Sequence, residues 1–185
     1  MYTICVDIDN VLNNLTERVL DVYNSTGGKN IHLDNITAYN FYDCLSKQDA
    51  DGIIDLFEKS DVWHSLTPIE DSQWAIDTLI KTGHRVIFAT ATAPCNFSWK
   101  IEWMKKHFPF VDSNDVIRII DKSLIKCDIL IDDCLDQLTK SACERICFNY
   151  PWNQSETKDY VYDIKRADGW RDIIKLINDI ERGEN

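Results

Sequence analysis

Five short apolar runs, rich in β-branched and aromatic residues, set the possible architectures of this chain. YTICV leads into Asp7-Ile8-Asp9, RVIFAT closes on Thr90, DVIRII precedes Asp121-Lys122, DILI leads into Asp132-Asp133, and RICF completes the series. Runs this short and this apolar read as strands buried on both faces. Between them, apolar residues recur at helical spacing. The pattern predicts strands over 2–6, 85–90, 115–120, 128–131 and 145–148, and helices over 14–24, 71–82, 97–107 and 169–182. Strands that alternate with helices pair in parallel through right-handed crossovers, so the expected fold is α/β with a doubly wound parallel sheet.

Residues 25–70 break the alternation. STGGKN at 25–30 reads as a turn or loop, and 31–70 is polar and irregular, with a helical patch over 46–58 and Pro68 near its end. The expected organisation is a core formed by 1–14 and 71–185, with 15–70 as a small helical cap inserted after the first strand. An insertion at that point hangs over the strand's carboxyl end, where ligands bind in such sheets, and can shield them from water.

Composition narrows the function. A length of 185 residues suits one core domain with a modest insertion, and 44 % hydrophobic residues argue against disorder. A formal net charge of -11 disfavours polymeric nucleic acid as a partner. It leaves room for a small phosphate ester, because a local lysine and a metal ion outweigh the global charge. The seven cysteines form no CxxC pair, and Cys5, Cys127 and Cys147 sit in or beside apolar runs, so they read as reduced core thiols of a reducing cytosol. The opening MYTICVDIDNV has neither signal-peptide nor transit-peptide features, and no apolar run approaches the roughly 20 residues that span a bilayer. No membrane partner and a cytoplasmic location are the expectations.

Four strand ends carry groups suited to phosphoryl transfer. Asp7 and Asp9 lie two apart in an extended segment, so their side chains face the same way and need a cation or a proton between them. Thr90 brings a hydroxyl to hold a phosphoryl oxygen, and Thr92 competes for that place. Lys122 can neutralise charge on a phosphoryl group and restrain Asp7. Asp132 and Asp133 end a buried run, where carboxylates resist desolvation unless a hard cation such as Mg2+ takes their oxygens. A receiver-like signalling domain gathers the same residue types in another order, with the acidic pair first; here the pair comes last.

The order DxD, Thr, Lys, DD resembles motifs I to IV of the haloacid-dehalogenase superfamily. Within it the chain is similar to the 5′(3′)-deoxyribonucleotidases and their bacterial and phage relatives, through VDIDNVLNNL at 6–15, LTPIE at 66–70, VIFATATAP at 86–94, KIEWMKKHFPF at 100–110, DKSLIKCDILIDD at 121–133 and FNYPWN at 148–153. The resemblance implies a magnesium-dependent phosphomonoesterase working through an aspartyl phosphate on a nucleoside monophosphate; the alternatives are a non-nucleotide metabolite such as a sugar phosphate as substrate, or a catalytically silent binding or regulatory protein of the same fold. It implies Asp7 as nucleophile and Asp9 as general acid and base, with Thr90, the Ala91 amide and Lys122 on the phosphoryl group. Thr90 is preferred to Thr92 because its distance to Lys100 fits the bacterial relatives. Mg2+ would be held by Asp7, the Asp9 main-chain carbonyl and Asp133, with Asp132 in support. Leu15, Val62 and Trp63 correspond to cap positions around base and sugar. Some relatives dimerise, so a homodimer is an allowed arrangement, although no apolar stripe marks an interface. Two positions depart from the family: Asn10 stands where Gly is common, and Leu15 where an aromatic is familiar.

Overall fold

The computed structural model describes residues 1–27 and 29–183. Gly28, Glu184 and Asn185, which fall within the expected turn, cap and core ranges, lie outside the described residues. Six strands, β1 (Thr3–Val6), β2 (Arg85–Thr90), β3 (Val116–Arg118), β4 (Ile129–Asp132), β5 (Glu144–Phe148) and β6 (Ile164–Ala167), form one parallel sheet in the order β3-β2-β1-β4-β5-β6. The order reverses at β1, so the crevice of this doubly wound sheet opens at the carboxyl ends of β1, β2 and β4.

Strand alternation sorts the core into two layers. Ile4 and Val6 of β1, Ile129 and Ile131 of β4, and Ile146 and Phe148 of β5 pack into the larger core. Their neighbours Cys5, Leu130 and Cys147 join the smaller one with Ala89, Leu138 and Ile164. Side chains two apart on a strand share a face, so runs apolar at every position must be covered on both sides. Helices α4 (Ser72–Lys81) and α8 (Trp170–Arg182) pack together on the larger core, which also takes Trp103 and Met104 of α5 (Pro94–His107). Helices α6 (Leu135–Lys140) and α7 (Glu156–Tyr162) cover the β4–β6 side. Gly83, just past α4, has φ 94°, a conformation that favours glycine and ends the helix where the sequence places its stop.

Between β1 and α4 lie α1 (Leu15–Gly27), α2 (Lys47–Leu56), α3 (Ser60–His64) and two 3-10 turns, at Leu33–Asn35 and Phe41–Asp43. The two ends of this segment are paired, and its buried residues, Val19, Ile53 and Leu66 among them, belong to the larger core. Asn14 N donates to the Thr67 carbonyl at 3.2 Å and Thr67 N to Asn14 Oδ1 at 2.8 Å, beside a bridge between Asn13 and Pro68. Among the described residues no helix is long and apolar enough to cross a membrane.

Several elements differ from the sequence expectation. The strand expected over 115–120 shrinks to three residues because β3 is an edge strand, with Ile117 and Ile120 facing solvent. The helix expected to end at 24 continues to Gly27. Helices α6 and α7 and strand β6 were not expected. Strand β6 reads IKRA, too polar for a buried strand, and it is the other edge of the sheet.

Helix α8 also reaches the loop after β1. Trp170, buried in the larger core, donates from Nε1 to the Val11 carbonyl at 2.8 Å. Trp170→Phe removes that donor and part of the ring. Chemical denaturation is expected to show a loss of about 1–3 kcal/mol, with the denaturant slope unchanged.

Candidate active site

Sheet register brings distant parts of the chain together. Val6 pairs with Ile131 on one side and Phe88 on the other, so Asp7, Asp132 and Thr90 emerge at one edge. Asp7 N extends the ladder by donating to the Ile131 carbonyl at 2.9 Å. Lys122 arrives from the 3-10 turn Lys122–Leu124, where Gln137 Oε1 accepts its main-chain N–H at 3.0 Å.

Two buried lysines divide the acids between them. Lys122, 3 % exposed, donates from Nζ to Asp7 Oδ1 at 2.5 Å and to Asp132 Oδ2 at 2.6 Å. Lys100, 1 % exposed, reaches in from α5 to Asp9 Oδ2 and to Thr90 Oγ1, the latter at 2.6 Å. Asn13 Nδ2 donates to the other oxygen of Asp9 at 3.1 Å. The alternation that put Asp7 and Asp9 on one side is therefore resolved by giving each carboxylate its own lysine. The Asp9 carboxylate lies outside the acid cluster that could hold a metal; the metal contact expected for Asp9 is through its main-chain carbonyl.

That cluster consists of Asp7, Asp132 and Asp133, all buried, with one oxygen from each within 4.8 Å of the others. Hard oxygen donors at this spacing suit a small divalent cation such as Mg2+. Electrostatics points the same way. Burial pushes the Asp7 carboxyl up to about 7, opposed by Lys122 and reinforced by Asp132 and Asp9. Burial, with Asp7 and Asp132 adding, raises Asp133 well above the ordinary carboxylate range. Burial works against the charge on Lys122, yet Asp132 and Asp7 outweigh it and hold the lysine above its usual value. With one ammonium among three buried carboxyls, the cluster favours a proton or a divalent cation as the further positive charge.

A cavity of about 300 Å³ opens over these groups. Asp7, Asp9, Thr90, Ala91, Thr92, Lys122, Asp132 and Asp133 form its polar floor, while Leu15, Ile36, Phe41, Phe57 and Trp63 from the inserted segment supply an apolar wall. Of the expected cap residues, Leu15 and Trp63 line the cavity. Val62 is buried in the core and is absent from the lining. Trp63, 2 % exposed, donates from Nε1 to the Phe57 carbonyl at 2.8 Å and has the Lys100 ammonium 5.1 Å from its ring centre, so it packs the wall. Thr92 lines the cavity too, but only Thr90 of the two is tied to Lys100.

Sequence reasoning gave Lys100 no role beyond its spacing from Thr90. A signal was available: Asn96, Lys100, Trp103 and Met104 are the buried residues of α5, so the helical period places a lysine on an apolar face. Asn10 was legible only as a turn residue. It has φ 57°, and its side chain accepts from Thr16 N at 2.9 Å and donates to Asp133 Oδ2 at 3.3 Å.

The model of the family "5' nucleotidase, deoxy (Pyrimidine), cytosolic type C protein" matches residues 1–182. A 5'(3')-deoxyribonucleotidase of Bacillus subtilis is 33 % identical over 118 residues, 63 % of this chain and 66 % of the relative. A Staphylococcus epidermidis protein provisionally given the same name is 25 % identical over 181 residues, 97 % of each chain. The solved structure of a haloacid dehalogenase-like family hydrolase from Streptococcus pneumoniae superposes with a TM-score of 0.63 at 10 % identity, over 96 % of this chain and 98 % of that one, a likeness of fold.

The raised Asp7 carboxyl gives a stability signature. The folded state holds this proton more tightly than the unfolded chain, so stability is fully present below the ordinary aspartate value of 3.8 and is lost as pH rises towards about 7. With chelator present, thermal unfolding of wild type and Asp7→Asn across that range is expected to show the variant gaining on wild type by up to about 1.4 kcal/mol per pH unit. Saturating Mg2+ should narrow the gap.

Proposed function

The chain belongs to the cytosolic type C family of 5′ deoxynucleotidases, and from that membership and the geometry above we propose that it hydrolyses the phosphate ester of a deoxyribonucleoside monophosphate. The chain is a phosphoric monoester hydrolase of haloacid-dehalogenase fold. The observation that carries the substrate proposal is the cavity, with acids, Lys122 and threonine hydroxyls on its floor and an apolar wall of Leu15, Ile36, Phe41, Phe57 and Trp63 facing them. Such a site takes a phosphate at one end and a flat apolar group at the other. We assign residues 15–70 to the cap that closes over the ligand. The free state of all seven cysteines supports a reducing compartment such as the cytoplasm.

In the proposed reaction a carboxylate oxygen of Asp7 attacks phosphorus, the ester P–O bond breaks, and Asp9 gives a proton to the leaving oxygen. Asp9 then takes a proton from water, whose oxygen attacks the aspartyl phosphate, and inorganic phosphate leaves with Asp7 restored. Lys122 holds Asp7 by one oxygen and offers charge to the phosphoryl group. Thr90 accepts from Lys100, which leaves its own proton for a phosphoryl oxygen; the Ala91 amide is the second donor at this place. Lys100 and Asn13 each take one oxygen of Asp9 and so fix the rotamer of the proposed acid. Mg2+, when bound by Asp7, the Asp9 carbonyl and Asp133 with Asp132 behind them, supplies positive charge against the phosphoryl oxygens.

A panel of 5′- and 3′-deoxyribonucleoside monophosphates, ribonucleotides and sugar phosphates, assayed with Mg2+ and with chelator, tests the substrate. Turnover is expected to be highest on deoxyribonucleotides and lost with chelator; equal or better turnover of sugar phosphates rejects the nucleotide assignment. Asp9→Asn is expected to lower kcat by about 10²–10⁴-fold with phosphate binding retained. Lys100→Met, which keeps the stem and removes the ammonium, should lower kcat by about tenfold or more.

A further inference from the structure

The oxygens of the acid cluster differ in how they are engaged. Asp132 is engaged at both oxygens, by Lys122 Nζ at Oδ2 and by the main-chain N–H of Cys134 at Oδ1, 2.9 Å away. Asp133 is held at one oxygen only. Its Oδ2 accepts from Trp152 Nε1 at 3.2 Å and from Asn10 Nδ2 at 3.3 Å, while its Oδ1 accepts no hydrogen bond among the described residues.

The groups behind Trp152 are themselves fixed. Its ring stacks on Tyr150 at 4.2 Å with 5° between planes, and Tyr150 stacks on Phe148 at 5.7 Å. The next residue, Asn153, donates to the main-chain carbonyls of Asp133 at 2.9 Å and Phe148 at 2.8 Å. Arg166 of β6 donates to Asn153 Oδ1 at 2.9 Å and to its carbonyl at 2.7 Å, and is paired with Asp159 at 2.6 Å. An indole N–H is a donor only, with no charge to lose near neutral pH. Asn10 is anchored independently, through Thr16 N.

We propose that Trp152 and Asn10 are positioning residues that occupy one oxygen of Asp133, so that it meets a divalent cation with the other oxygen alone. This rests on the metal site proposed above. A carboxylate confined to one oxygen suits the octahedral shell of Mg2+, whereas Ca2+ commonly takes both oxygens of a carboxylate. The pair therefore raises affinity for Mg2+ and favours it over Ca2+. FNYPWN thereby gains a task within the site, and β6 is drawn into it through Arg166.

Calorimetric titration of the full chain with Mg2+ and separately with Ca2+ tests the proposal, without substrate. Trp152→Phe keeps the stacked ring and removes the N–H. Its Mg2+ Kd is expected to rise about tenfold, with a smaller change for Ca2+. Asn10→Gly tolerates the positive φ and removes the second donor; its shift should have the same direction, and it carries the test if Trp152→Phe fails to fold. A Mg2+ Kd within twofold of wild type, or an equal change for both cations, overturns the proposal. Absence of Mg2+ binding by the wild-type protein would instead remove the metal site beneath it.

Discussion

The Lys122 ammonium, shared between Asp7 and Asp132, is the contact on which the rest of the site depends. Carboxylates at the ends of buried strands are expensive to desolvate, and a paired ammonium makes two of them tolerable. The sheet supplies the geometry: β1 and β4 are neighbours in register, and the turn before β4 brings Lys122 between their ends. The third acid, Asp133, has no lysine of its own. Burial, with the neighbouring carboxylates adding to it, makes Asp7 and Asp133 hold protons more tightly than ordinary carboxylates, and a cation is the alternative partner for such a cluster.

Charge separation within the DxD element gives its two acids different surroundings. Asp7 faces Lys122 and the acid cluster, and Asp9 faces Lys100 and Asn13. These surroundings support the roles proposed for them, nucleophile and proton carrier, which require different neighbours. The asparagines of the DIDNVLNN stretch make this possible. Asn10 takes the positive-φ turn and links α1 to Asp133, Asn13 holds Asp9 and the start of α1, and Asn14 closes the neck of the insertion against Thr67. Wall and floor of the cavity are therefore joined by short hydrogen bonds at the root of the insertion.

Legibility in the sequence followed burial. Strands β1, β2, β4 and β5 declare themselves because each carries at least three consecutive apolar residues, which a strand covered on both faces requires. The edges do not: β3 has just three residues, and β6 carries Lys165 and Arg166 because an edge needs less covering. Among site residues, Asp7, Thr90, Asp132 and Asp133 stand at or directly after strand ends, Asp9 lies just beyond β1, and Lys122 follows the apolar run that contains β3, so the pattern draws attention to them. Lys100 lies within a helix, Trp152 within an aromatic-rich turn, and the apolar wall within an irregular segment, so their convergence has no linear mark. Val62, counted among the cap contacts by position, is buried in the larger core beside Trp63, and of the two only Trp63 lines the cavity.

The amino-acid sequence by itself determined the strand–helix alternation and the points where apolar runs meet acids, since both follow from local periodicity and the cost of burying charge. It determined as well that phosphoryl chemistry was within reach, because acids, a hydroxyl and a lysine recur at those points in a distinctive order. Only the tertiary structure decided which lysine meets which acid, which oxygen of Asp133 is already taken, and which side chains of the insertion face the cavity. Those outcomes rest on strand register and on hydrogen bonds between residues up to 123 apart in the chain, as between Asn10 and Asp133, and no local pattern encodes such distances.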